Sequence, residues 1–193
     1  MNHSQIQNTP LIYPLIQAKS EAIGFTMPSD IYIGTLLKAL VGSKPSGNFL
    51  ELGTGIGLSL AWMVDGMDDS SQLVSIDNDP KLTKIVSEWF GLDHRISILC
   101  EDGGTWIKNY LGESFDLIFA DAWPGKYSEL DETLALLKIG GIYVIDDMNP
   151  QPNWPEGHAE KAEKLIEILE SKPNFHLVKM DWSTGVILMT RVN

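Results

Sequence analysis

Five short apolar runs, separated by helix-like stretches, constrain the fold of this chain more than any other feature. The runs are Asn48–Leu52, Gln72–Asp77, Arg95–Cys100, Phe115–Asp121 and Gly141–Asp146. Each is rich in Ile, Leu, Val or Phe and has Gly, Asp, Asn or Pro close by. A parallel strand covered by helices on both sides has no wet face, so it reads as a continuous apolar run rather than an alternating one. Between the runs, Leu58–Val64, Pro80–Phe90, Gly104–Tyr110 and Ser128–Leu137 read as helices. Pro80 after Asp79 suits a first helical turn, and Gly140-Gly141 suits a helix stop before the fifth strand. The alternation predicts a doubly wound α/β fold: a parallel sheet with helices on both faces.

The end of the chain departs from this pattern. Glu156–Ser171 reads as a charged amphipathic helix, and His176–Asp181 and Gly185–Arg191 read as strands joined by a turn at Trp182–Thr184. No helix fits between them, so they must pair antiparallel. The expected sheet is therefore seven-stranded and Rossmann-like, mostly parallel, closed by an antiparallel hairpin. A plain dinucleotide-binding fold would finish with another helix and a parallel strand. Leu11–Ala22 and Ile31–Val41 carry helical apolar patterns that would pack over the sheet or the site. A length of 193 residues fits one domain, with 1–45 as a helical cap and 46–193 as the core.

Charge narrows the partners. With 26 acidic against 14 basic side chains the net charge is −12, which opposes nucleic-acid binding, because phosphates need clustered Lys and Arg. No apolar run approaches the roughly 20 residues of a membrane helix. The start of the chain has no basic patch followed by an apolar stretch, so no secretory signal is expected. A single cysteine, Cys100, cannot form an internal disulfide and suits a reducing cytoplasm. The expectation is a cytoplasmic protein acting on a small molecule, with a homodimer left open.

The first strand runs into Glu51-Leu52-Gly53-Thr54-Gly55-Ile56-Gly57-Leu58-Ser59. Glycines there let the chain turn tightly and let a ligand approach the backbone, and the next helix offers free N–H groups. The spacing is G-x-G-x-G, unlike the G-x-G-x-x-G of pyrophosphate binders. Glu51 would repel a pyrophosphate but pair with a cationic amino group. Asp77 ends the second strand and can accept hydrogen bonds from both ribose hydroxyls; alone, it fits a surface turn equally well. Asp102, after the third strand, can reach an adenine amino group or cap the next helix. Asp121, Asp146 and Asp147 follow the fourth and fifth strands and converge at their carboxyl ends. Carboxylates so placed repel unless a cation or protons neutralise them, and hard oxygen donors suit Mg²⁺. Helix capping or solvation is the alternative.

Taken in order and spacing, ELGTGIGLS, SIDNDP, CEDGG, FDLIFADAW and GGIYVIDD resemble the class I S-adenosylmethionine-dependent methyltransferases. Within them the chain is similar to the catechol and caffeoyl-CoA O-methyltransferase group, from about Met27 to Arg191. The resemblance implies that Glu51 and Gly53 contact the methionine part of the cofactor and Ser59 its carboxylate, with Gly55 also in the cofactor site. It places Asp77 at the ribose, and Ile76, Asn78 and Asp102 around the adenine with Trp123 stacked nearby. Met27, in TMPSDIYIG with the family glycine Gly34, would lie near the sulfonium. Asp121 would border the cofactor, act in catalysis and ligate a divalent metal with Asp146 and Asp147. Two departures stand out. Asp147 replaces the group's usual asparagine, and Pro124 stands where its lysine base belongs, with Lys126 two residues later. Lys126 either reaches the same space through the Pro-Gly turn or is a surface lysine.

Asn149–His158 brings three prolines and Trp154 beside Asp147, either as a flat apolar wall for an aromatic substrate or as a plain extended connection. His3, His94, His158 and His176 lack metal spacing, and only His158 falls near the expected site. The expected function is methyl transfer from S-adenosylmethionine to a hydroxyl of a small aromatic molecule, with a divalent cation such as Mg²⁺ assisting. The alternatives are metal-independent transfer to another nucleophile and a non-catalytic S-adenosylmethionine-binding module.

Overall fold

The computed structural model describes residues 8–151 and 154–193. His3, Pro152 and Asn153 lie outside the described residues. Two helices, α1 (Tyr13–Ile23) and α2 (Ile31–Gly42), precede β1 (Asn48–Leu52), α3 (Leu58–Gly66), β2 (Gln72–Asp77), α4 (Pro80–Phe90) and β3 (Ile96–Cys100). Then come α5 (Gly103–Asn109), β4 (Phe115–Ala120), α6 (Leu130–Ala135), β5 (Leu137–Ile145), α7 (His158–Glu170), β6 (Phe175–Met180) and β7 (Val186–Arg191).

The seven strands form one sheet in the order β3-β2-β1-β4-β5-β7-β6. β1 pairs in parallel with both β2 and β4, while β7 runs antiparallel to β5 and β6. The chain winds outward from β1 in one direction and from β4 in the other. A crevice therefore opens between the carboxyl ends of β1 and β4, where ligands of such sheets bind. The expected fold is the one observed.

Both sheet faces are buried, which explains the continuous apolar runs. Phe49, Leu117, Phe119 and Val144 pack with Ile16, Ile33, Leu37, Leu60 and Val86 on one face. Leu50, Leu52, Ile118, Tyr143 and Ile145 pack with Ile107, Leu134, Leu165 and Leu169 on the other. The expected N-terminal cap is thus partly core: α1 and α2 join the first cluster, and residues 25–30 between them line the crevice. Asp30 fixes that segment. One carboxylate oxygen caps α2 through Tyr32 and Ile33 N–H, and the other accepts the Ser183 hydroxyl from the β6–β7 turn.

Two local expectations need correction. The helix expected over Ser128–Leu137 is only Leu130–Ala135, and β5 starts at Leu137 rather than Gly141. Phe115 faces Leu137 while Leu117 faces Ile142, so β5 bulges between them. Gly140 has φ +79°, and a Cβ on Gly141 would lie 2.8 Å from the Lys138 carbonyl. These glycines make the bulge rather than end a helix.

Gly34 has a packing role. A Cβ on it would overlap the Trp62 indole of α3, so glycine lets α2 seat directly on that ring. Trp62 is fully buried and cannot retreat. Gly34→Ala should lower stability by about 1–3 kcal/mol through overpacking, measured by urea denaturation. An unchanged midpoint would show that the helices separate without cost.

Candidate active site

The crevice is a cavity of about 720 Å³ at the carboxyl ends of β1, β2, β4 and β5. The glycine turn forms one side. Gly53 and Thr54 donate N–H bonds to the Ile76 carbonyl at 2.9 and 3.2 Å. Gly53 (φ +99°) lies so near β4 that a Cβ would sit 2.9 Å from the Asp121 carbonyl oxygen. Gly55 (φ +53°) lies under the Phe25 ring, where a Cβ would be 3.2 Å away. These positions need glycine for both conformation and space.

Asp77 locks the turn to β2. Its Oδ2 accepts from Gly55 N at 2.8 Å and its Oδ1 from Asp79 N at 2.9 Å. Each oxygen keeps a further lone pair for a ligand. Ile76, Asn78 and Asp102 line the same end of the cavity. Asp102 caps α5 by accepting from Thr105 N and Oγ1 at 2.8 and 2.7 Å, so the capping role holds there.

Glu51 lies beneath this wall and is fully buried. Ser59 and Ser75 donate their hydroxyls to its two oxygens at 2.6 and 2.5 Å, and Thr54 Oγ1 lies 2.6 Å from Ser75 Oγ. Burial pushes the Glu51 carboxyl up to about 8; the hydroxyl donors oppose the shift, and the charges of Asp121 and Asp77 add to it. The Ser59 hydroxyl is thus committed to Glu51, although Ser59 also lines the cavity. Thr54 and Ser75 were not singled out in the sequence; Ser75 is the register partner of Glu51 on β2.

Lys126 is brought inward by the turn after β4. Tyr127 and Ser128 N–H bond to the Trp123 carbonyl at 2.9 and 3.2 Å, and Gly125 takes φ +86°. A Cβ on Gly125 would overlap Leu52, and Tyr143 donates its hydroxyl to the Gly125 carbonyl. The Lys126 side chain is buried, and its ammonium donates to the Asp146 backbone carbonyl. Burial lowers its pKa, while the charges of Asp121, Asp147 and Asp146 oppose that shift. Of the two readings of Lys126, the surface lysine is excluded.

The carboxylates of this corner are not alike. Desolvation pushes Asp121 up to about 7; Lys126 opposes the shift, and Asp146 and Asp147 reinforce it. The Ser29 hydroxyl donates to Asp121 Oδ2 at 3.2 Å. Burial raises Asp146 to about 6, and its Oδ1 accepts both the Thr184 hydroxyl and, at 2.8 Å, Asp147 N. Asp147 sits in the left-handed region at φ +53°. Among the described residues, no group of three or more His, Cys, Asp or Glu side chains could hold a metal ion. The expected trio does not fit a divalent ion here. One oxygen of Asp146 is already doubly engaged, and a buried ammonium lies in the same corner.

Glu51, Asp121 and Asp146 are all held above the ordinary carboxylate range. Each therefore favours the folded state when protonated. Their stabilisation is complete below the unfolded carboxylate values and is lost as pH rises through about 6 to 8. His158 and Lys126, both held below their ordinary values, act in the opposite sense. The thermal midpoint should fall as pH rises from about 6 to 8.5, and fall less in Glu51→Gln, which cannot titrate. Equal slopes in melts of the two proteins would remove Glu51 from the effect.

Aromatic rings line the opposite side. Trp123 lies 4.7 Å from Tyr127 and 5.8 Å from His158, and Trp154 lies 4.4 Å from His158, ring centre to ring centre. Tyr127 Oη is 3.2 Å from His158 Nε2, and the Lys161 ammonium is 4.9 Å from the Trp123 ring centre. Gln151, Trp154, Pro155 and His158 line the cavity, as expected of a wall rather than a plain connection. Met27 lines it too and is largely exposed. Tyr127 was missed because its place depends on the turn at Gly125.

A mostly parallel sheet ending in an antiparallel hairpin, with a glycine turn backed by strand-end acids, is the architecture of class I methyltransferases. The O-methyltransferase family model matches residues 2–191. An Arabidopsis thaliana protein bearing the name caffeoyl-CoA O-methyltransferase is 26% identical over 175 residues, 82% of this chain and 75% of that protein. A Mycobacterium avium protein bearing the name O-methyltransferase is 30% identical over 118 residues, 58% of this chain and 53% of its own length. The chain thus spans about half the length of the mycobacterial relatives it matches. Among solved structures, an O-methyltransferase from Bacillus cereus in complex with SAH superposes with a TM-score of 0.82 at 18% identity, covering 96% of this chain and 93% of that one. One from Streptomyces achromogenes in complex with SAM, involved in tomaymycin synthesis, gives 0.84 at 17% identity, covering 98% and 93%. This chain belongs to the O-methyltransferase family of S-adenosylmethionine-dependent methyltransferases.

Among the described residues, no helix is long and apolar enough to cross a membrane.

Proposed function

We propose that this chain moves a methyl group from S-adenosylmethionine to a hydroxyl of a small aromatic molecule. The observation that carries this reading is one cavity joining the glycine turn to a buried lysine and a wall of aromatic rings. The glycine end suits the cofactor. Gly53 and Gly55 leave bare backbone, and Asp77 lines the cavity, keeps acceptor lone pairs and supplies negative charge for a cationic ligand, while buried Glu51 braces the turn from beneath. Gly53, Gly55 and Met27 would border the cofactor's methionine part, with Ser59 lining the same end while its hydroxyl braces Glu51. Asp77 would hold the ribose, and Ile76, Asn78 and Asp102 the adenine. When bound, the cofactor supplies an electrophilic methyl group on a sulfonium.

The other end serves the acceptor. Trp123, Tyr127 and Trp154 offer flat apolar faces, which bind an aromatic ring at low entropic cost. Lys126 has three N–H donors, of which the Asp146 carbonyl takes one. The others can hold an acceptor oxygen and favour its anion. Asp121, between the two ends, can accept the hydroxyl proton or steer the acceptor. The residues contribute chiefly by alignment.

Calorimetry with S-adenosylmethionine and turnover on a panel of catechols and phenols, followed by mass spectrometry, test the reading. Saturable cofactor binding with methylation of at least one phenol is expected. Cofactor binding with methylation of amines alone would overturn the hydroxyl assignment.

A further inference from the structure

We propose that the Lys126 ammonium takes the place of a divalent cation in this chain, so that its acidic corner neither binds nor requires a metal ion. The part concerning turnover rests on the reading of the cavity as a methyl-transfer site; the part concerning metal binding does not.

The argument begins with charge. Asp121, Asp146 and Asp147 follow the ends of β4 and β5 and line the cavity together, Asp146 being buried. Such a group needs a cation or protons nearby. The chain supplies a cation of its own. Lys126 is 5% exposed, bonded to the Asp146 carbonyl, with its ammonium 5.4 Å from the Tyr127 ring centre. A long flexible side chain buried in this way is held by its surroundings rather than left there by chance.

The turn that delivers Lys126 is built for the purpose. Gly125 adopts a conformation other residues resist and packs so tightly on Leu52 that a Cβ would not fit. Its carbonyl is fixed by the buried Tyr143 hydroxyl, and its N–H bonds to the Ser128 carbonyl at 2.8 Å. Pro124 packs against Gly103, where a Cβ on the glycine would lie 3.3 Å away. Four elements therefore set the direction of Lys126: β1 through Leu52, β5 through Tyr143, α5 through Gly103, and the turn itself.

Two of the three carboxylates already accept hydrogen bonds from the protein, Asp121 from the Ser29 hydroxyl and Asp146 from two donors. Mg²⁺ demands about six oxygens in near-octahedral array at short range. Asp146 Oδ1 is spent on the Thr184 hydroxyl and Asp147 N–H. A divalent ion entering beside a fixed ammonium would meet repulsion in a poorly screened site. The ammonium can do the ion's work, since two of its donors remain for an acceptor oxygen.

The test compares wild type, Lys126→Met and Lys126→Arg. Mn²⁺ binding is followed by electron paramagnetic resonance, and thermal melting is measured in EDTA and in millimolar Mg²⁺. Wild type should leave the free Mn²⁺ signal undiminished and melt at the same temperature with or without Mg²⁺. Lys126→Met should bind Mn²⁺ and gain about 3 °C or more with Mg²⁺. If Lys126→Met folds only when metal is added, that is the same gain in stronger form. Lys126→Arg, which keeps the charge, should match wild type in Mn²⁺ binding and in its indifference to Mg²⁺ on melting. Stoichiometric Mn²⁺ binding by wild type would overturn the proposal, as would no metal binding by a folded Lys126→Met. Turnover separates the two readings. Methyl transfer abolished by EDTA and restored by Mg²⁺ sinks this proposal and leaves the function standing. Wild type that binds no metal and methylates no phenol supports this proposal and sinks the function.

Discussion

Lys126→Ala should lower kcat for methyl transfer by about 10²–10³-fold, the cost of removing one fixed donor from a developing oxyanion. The loss should fall on kcat and on the acceptor's KM, with the KM for S-adenosylmethionine little changed. The glycine turn and Asp77 hold the cofactor end without help from Lys126. Lys126→Arg keeps the charge but replaces a compact ammonium with a planar fork, so partial rescue is expected. Removing the lysine also takes away the positive charge that holds Asp121 down, so the Asp121 carboxyl should rise further. Folding must therefore be checked by circular dichroism beside the kinetics. A folded Lys126→Ala protein with wild-type kcat would show that the ammonium does not touch the acceptor oxygen.

The residues that make this site differ in how openly the sequence announces them. The strands and the terminal hairpin were legible because burial on both faces leaves continuous apolar runs, and because Trp182–Thr184 leaves no room for a helix. Gly53, Gly55 and Asp77 were legible because tight turning and strand-end acidity are local properties. The bulge at Lys138–Gly141 was not. Paired glycines suit a helix stop and a bulge equally, and only the register against β4 decides between them. Lys126 was ambiguous for a similar reason. Its direction depends on how Gly125 seats on Leu52 and Tyr143, residues distant in sequence. The three aspartates could be read as a metal site because spacing shows that they converge. Which oxygens are already occupied depends on Thr184 and on the Asp147 backbone, and neither carries a sequence signal.

Asp77→Ala should weaken S-adenosylmethionine binding by about 1.5–3 kcal/mol, roughly 10- to 150-fold, through lost charge-assisted bonds to the ribose hydroxyls. The structure adds a second source of loss. Asp77 also holds Gly55 N–H and Asp79 N–H, so its removal loosens the glycine turn that would receive the methionine part. Part of the cost is therefore preorganisation. Because these two backbone donors lose their acceptor, stability should fall by about 1 kcal/mol. Asp77→Asn separates the contributions. Its amide oxygen keeps one of the two backbone bonds and its nitrogen loses the other, so stability should recover only in part while affinity, without the charge, stays reduced. At saturating cofactor, kcat in both variants should remain near wild type, since neither touches the acceptor end. Calorimetry on the three proteins reads affinity, and melting curves read the turn. Wild-type affinity in Asp77→Ala would remove Asp77 from the cofactor site and leave it only as the brace between β2 and the glycine turn.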